Sequence, residues 1–131
     1  MIYKKSQTSI EFIILVAALL FFFTIFFIAI QINISDKMKE TKDIVVKEIA
    51  KTVQDEINLA SQSDDGYYRE FEIPNEIQGD DYNITIIENL VYLKTADEKH
   101  AIALPVKKIN GQIVKNKNII KKVNGEVQLN L

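Results

Sequence analysis

An uninterrupted apolar run, FIILVAALLFFFTIFFIAI from Phe12 to Ile30, governs what this chain can become. It is 19 residues long, and Thr24 is its only polar member. As a helix rising about 1.5 Å per residue it would extend about 28 Å, close to the thickness of a bilayer's hydrocarbon core. The apolar regions of cleaved secretory signals are shorter, typically about 7–15 residues, and end in small residues at the cut. Here the run passes into QINISDKMKE with no such site, so it reads as a retained membrane segment. Lys4 and Lys5 lie just before it, which puts the N-terminus in the cytoplasm and the remainder outside. Glu11 stands at the mouth of the run. An ionised carboxylate at that place costs several kcal/mol unless something neutralises it.

Composition separates two unlike halves. Six of the seven Phe fall between Phe12 and Phe27, while residues 35–131 read as a polar soluble domain. At 131 residues there is room for one such domain. Net charge is −2, which gives no basic face for nucleic acid. The absence of Cys excludes a disulfide scaffold, a thiol nucleophile and a zinc knuckle.

No Gly or Pro occurs before Gly66, so nothing in the first 65 residues forces a helix to break. Val46, Ala50, Val53, Ile57 and Ala60 follow at spacings of four, three, four and three, a single helical stripe with Lys and Glu on the other faces. The pattern predicts one continuous helix from about Ser9 to Ser61. Short apolar and β-branched runs follow, separated by turn residues: YYREFEI, YNITIIE, LVYLKT, HAIALPV, QIVK, IIKKV and EVQLNL. Asn110-Gly111 and Asn124-Gly125 signal tight hairpins. The expected fold is α+β: a long N-terminal hydrophobic helix, with a C-terminal antiparallel sheet of about five or six strands packed on its upper half.

The residues Lys4-Lys5-Ser6-Gln7-Thr8-Ser9-Ile10-Glu11-Phe12, followed by the apolar helix, resemble the class III signal peptide of archaeal type IV pilin-like proteins. That family carries a short basic leader and then Q-x-S-x-E-F, matched in place by Gln7, Ser9, Glu11 and Phe12. The head, with Phe71 to Pro74, Leu104-Pro105 and its late Asn-Gly turns, also resembles heads of such proteins. The resemblance implies cleavage by a membrane prepilin peptidase between Ser6 and Gln7, with the apolar segment retained. It divides the chain into a leader (1–6), a transmembrane and filament-core helix (7–34), an amphipathic continuation (35–63) and a β head (64–131). It also implies an assembly ATPase and membrane platform as indirect partners, and a helical homo-oligomer of such subunits displayed as a surface filament for attachment. Glu11 would become the fifth residue of the mature chain, one helical turn from the new α-ammonium on Gln7. It can then pair with that terminus or with the terminus of a neighbour. Phe12, Leu15, Leu19, Phe22, Phe23, Phe26 and Phe27 would pack the filament core, with Phe21 adding a further ring.

Other chemistry is sparse. His100, the single histidine, reads as a surface residue. Asp64-Asp65 and Asp80-Asp81 read as solvated turns that could instead hold a cation, and no cofactor loop or catalytic metal motif occurs. Six Lys and no acid fall between 107 and 122, as a solvated face or as complementarity between subunits. Asn33-Ile34-Ser35 and Asn83-Ile84-Thr85 are acceptor sequences for N-glycosylation on the outer side. Three functions stay open: a pilus subunit; a minor pilin or single-pass anchor displaying a binding or sensor head; and, against the missing nucleophile and cofactor loop, a membrane-bound enzyme.

Overall fold

The structure, a computed structural model, describes the backbone from Ile2 to Leu131 and side chains from Lys5 onward. The side chain of Lys4, expected to flank the apolar run, lies outside the described residues. The elements are α1 (Ile2–Gln62), β1 (Tyr68–Ile73), β2 (Tyr82–Ile87), β3 (Leu90–Thr95), β4 (Ala101–Pro105), β5 (Ile109–Gly111), β6 (Asn116–Val123) and β7 (Glu126–Leu129). Contacts divide the chain into two compact units, one ending at Lys39 and one running Glu40–Leu131. The fold class is α+β.

In the first unit every described residue is helical, and all side chains from Lys5 to Lys39 are exposed. Its apolar stretch is long enough to cross a membrane. The hydroxyl of Thr24 donates to the Leu20 carbonyl at 2.8 Å, so the one polar side chain of the run is satisfied within its own helix.

In the second unit α1 buries the expected stripe. Val46, Ala50, Val53, Ile57 and Ala60 are buried, joined by Ile49, which the simple four-three spacing omits. Facing them is a core of Phe71, Ile73, Ile77, Tyr82, Ile84, Ile86, Val91, Leu93, Ile120, Val127 and Leu129. Strand residues alternate as a sheet with one wet face must: β2 reads buried at Tyr82, Ile84 and Ile86 and exposed at Asn83, Thr85 and Ile87.

The strands differ from expectation in number and arrangement. Among the described residues seven strands form two sheets, ordered β1-β6-β7-β5 and β2-β3-β4. All pairs are antiparallel except β5 with β7, which run parallel. Asn124-Gly125 does join β6 to β7, both residues at positive φ (52° and 79°), as a two-residue hairpin turn requires. Asn110-Gly111 is no hairpin; it lies inside β5. Gly111 has φ 104°, and a Cβ built there would sit 1.9 Å from the Leu129 carbonyl oxygen. That glycine serves close backbone approach rather than reversal. The tight turn the sequence did not announce is Glu88-Asn89, at φ 49° and 65°, between β2 and β3.

QIVK is not a strand either, because side-chain amides satisfy its backbone. Asn118, fully buried, accepts from Val114 N (2.9 Å) and donates to Val114 O (2.7 Å). Gln112 Nε2 donates to Ile86 O at 3.0 Å and its Oε1 accepts from Ile86 N at 3.3 Å, closing the outer edge of β2. Asn130 Nδ2 donates to both Gln112 O and Asn118 Oδ1 at 2.8 Å. With these groups paired, no neighbouring strand is needed there.

Candidate functional site

The residues expected to direct processing all fall within α1. Ser6, Gln7, Ser9, Glu11 and Phe12 are helical and exposed. Gln7 and Glu11 are four apart and share one helix face. The peptide bond between Ser6 and Gln7 is therefore in helical geometry, and a protease that reads extended chain must unwind this turn.

From Phe12 to Ile30 the helix offers no polar face. Between Ile10 and Ile34 the large apolar side chains are exposed on all sides of the helix: Phe12 is 65% exposed, Leu15 59%, Leu19 62%, Phe22 68%, Phe23 66%, Phe26 63% and Phe27 55%. Neighbouring rings make some contact along the helix. Phe21 meets Phe22 edge-on with centroids 6.2 Å apart, and Phe23 stacks with Phe27 at 6.4 Å. Such contacts leave most of each ring uncovered. A helix apolar all round is stable only in lipid or in a bundle.

The head's charged residues are largely engaged with one another. Lys42 continues the buried stripe of α1 one turn below Val46, and its ammonium meets the carboxylates of Asp80 and Asp97, the latter at 3.4 Å. The hydrogen bond that Lys42 donates to Asp80, outweighing the cost of burial, raises the pKa of Lys42 above its ordinary value. Asp97 is held down to about 2, first by the Thr95 hydroxyl (2.6 Å) and then by the Lys99 backbone N–H (3.1 Å). Asp81 pairs with Lys115, which lowers its carboxyl pKa. Tyr82 donates its hydroxyl to Pro74 O, and burial pushes its phenol up to about 12.

These pairings revise several expectations. His100 is not a free surface residue: its Nδ1 meets Asp43 and its side chain is only 10% exposed. The acidic turns are tied into the head rather than merely solvated, Asp80 to Lys42, Asp81 to Lys115 and Asp65 to the N–H of Gly125 at 2.8 Å. Among the described residues no three His, Asp or Glu side chains gather as a metal site. The lysine-rich stretch is partly paired within the chain as well. Lys117 pairs with Glu70 at 2.8 Å, and Lys122 donates to Ser61 O (2.8 Å) and Ser63 O (2.7 Å). The last turn of α1 contains no basic residue, so Lys122 supplies the cation that its carbonyl end favours. This cap was invisible in the sequence because its two halves lie about sixty residues apart.

No protein-family model, curated protein or solved structure matches this chain.

The sequons occupy different settings. Asn33 lies in α1, directly beyond the apolar run. Asn83 lies on β2 with its side chain exposed.

Proposed function

We propose that this chain is a subunit precursor of an archaeal type IV-like pilus. It inserts with its N-terminus in the cytoplasm, is cut before Gln7 by a prepilin peptidase, and assembles through its apolar helix into a surface filament for attachment. The observation that carries the reading is the junction of two features. Gln7, Ser9, Glu11 and Phe12 lie within α1 at the start of the stretch whose apolar side chains are exposed on every face. Lipid can accept such a helix before assembly, and a bundle of identical helices can accept it afterwards. Glu11 gives that bundle a register: pairing with the α-ammonium of Gln7, its own or a neighbour's, lowers the cost of a carboxylate among apolar side chains.

The N-terminal sequence of the protein recovered from its native membrane tests the proposal. A mature start at Gln7 supports a processed pilus subunit. An intact N-terminus from Met1 overturns it and leaves a single-pass anchor displaying a binding or sensor head.

A further inference from the structure

The solvent face of the β2-β3-β4 sheet carries adjoining exposed apolar side chains. The register aligns it in three rows: Asn83, Lys94 and Ala101; Thr85, Tyr92 and Ala103; Ile87, Leu90 and Pro105. Apart from Lys94, which is partly covered, these residues are exposed, with Ile87 at 59%, Leu90 at 43% and Tyr92 at 41%. Contiguous exposed apolar surface of this kind calls for an occupant. One is written into the face itself. Asn83 and Thr85, the first and third residues of the Asn-Ile-Thr acceptor sequence, are two apart on a strand and so project from the same side, while Ile84 between them is buried.

We propose that Asn83 carries an N-linked oligosaccharide that lies across the apolar face formed by Thr85, Ile87, Leu90 and Tyr92. The inference rests on the orientation proposed above, with the head outside the membrane. In the transfer, the Asn83 amide nitrogen forms a bond to the anomeric carbon of a lipid-linked oligosaccharyl phosphate. The bond from that carbon to the phosphate oxygen breaks, the lipid phosphate leaves with the electron pair, and one amide proton is released. β2 is an edge strand, so only β3 flanks the acceptor within its sheet. The first sugar residues then meet Tyr92, whose ring is a flat apolar platform with a polar tip. Asn33 stays unmodified. On a helix, residues two apart point to nearly opposite sides, so Asn33 and Ser35 do not share a face, and Asn33 is three residues past Ile30 at the end of the apolar run.

The full chain isolated from its native membrane is digested with trypsin and weighed. Peptide Glu70–Lys94 contains Asn83, and Asn33 lies in Gln7–Lys37 of the processed chain or Ser6–Lys37 of the uncut one. The expected result is an added oligosaccharide mass on the first peptide only, lost in both Asn83→Gln and Thr85→Val. Protease digestion of intact cells locates the head in parallel. An unmodified Glu70–Lys94 from a head that is outside overturns the glycan and leaves the pilus reading standing; a head on the cytoplasmic side overturns both. Hydroxyl-radical labelling tests the cover. Tyr92 should be protected in the glycosylated protein and lose that protection in Asn83→Gln, with Tyr68 on the other sheet unchanged as a control. Equal protection of Tyr92 in both proteins overturns the cover and points to a second copy of the chain on this face.

Discussion

On the proposed pilus reading, Glu11 is the residue that would separate processing from assembly. Insertion depends on the apolar run, which Glu11→Ala only makes more hydrophobic. The proposed cleavage would depend on the chain around Ser6 and Gln7, a helical turn away. We therefore expect Glu11→Ala to be inserted and cut normally but to enter filaments poorly. An unpaired charge in a low-dielectric bundle costs several kcal/mol, and even ~2 kcal/mol weakens each addition about thirtyfold. Glu11→Gln should behave the same way and Glu11→Asp should be partly tolerated. Mature length in the membrane fraction and filament counts by microscopy check this; wild-type filament numbers from correctly cut Glu11→Ala subunits would sink the charge-pairing account. Gly111 makes the complementary point about misreading a residue. Asn-Gly suggested a hairpin, yet the glycine is needed because its φ is 104° and the Leu129 carbonyl occupies the space of a Cβ. Gly111→Ala should therefore destabilise the head by about 2–4 kcal/mol. Thermal unfolding measures it. A change indistinguishable from that of Gly79→Ala, where φ is also positive but no atom lies within 4 Å of the added Cβ, would discard the close-approach argument.

At the scale of elements, the parts legible in the sequence are those set by local period. The stripe from Val46 to Ala60 needed only a helical spacing, and the strand alternation in Ile102, Leu104 and Val106 only a period of two. What was not legible depends on partners far along the chain. The split into two sheets, the parallel pairing of β5 with β7 and the loop conformation of QIVK are fixed by long-range pairings that leave no local period. The Glu88-Asn89 turn escaped notice because neither residue is glycine, though both adopt positive φ. Asn118 falls between the runs QIVK and IIKKV, and no local period marks its role. In the structure its amide holds Val114 from both sides and accepts from Asn130. Asn118→Ala would remove the side-chain partners of Val114 N–H and C=O and one of the two acceptors of Asn130 Nδ2, and should cost about 2 kcal/mol. Denaturant unfolding gives the number, and amide exchange at Val114 gives the cause. If stability falls while Val114 remains protected, the loss is one of packing and the amide bridge is not what organises this loop.

For the whole molecule, the charged pairs fix a pH window and the two units divide the labour. The folded state depresses Asp97 from 3.8 to about 2, so its stabilisation is complete above 3.8 and is lost as pH falls through about 2. Tyr82 is raised from 10.0 to about 12 and Lys42 is raised above 10.5, so both contributions are intact below those ordinary values and fade as pH climbs past them. The stability these three groups contribute should hold between about pH 4 and pH 10. Asp97→Asn should make the acid limb shallower without abolishing it, because Asp81 is depressed as well, as read by circular dichroism. The units themselves differ in what they need. Residues 40–131 enclose a core built from both the amphipathic part of α1 and the strands, whereas residues 5–39 bury nothing. Between Ile10 and Ile34 the side chains awaiting cover amount to tens of kcal/mol of transfer free energy. That quantity exceeds the whole stability of a typical domain, about 5–15 kcal/mol. Insolubility of the full chain should therefore belong to the first unit alone. Deleting residues 1–35 should yield a soluble, cooperatively unfolding monomer, while the full chain should require lipid or detergent, or exist in filaments. Sedimentation of the shortened chain decides the matter. Soluble monomers place the drive to associate in the apolar helix; sedimenting aggregates with native circular dichroism would show that the head associates through its own surface, and the assembly mechanism would have to be sought there.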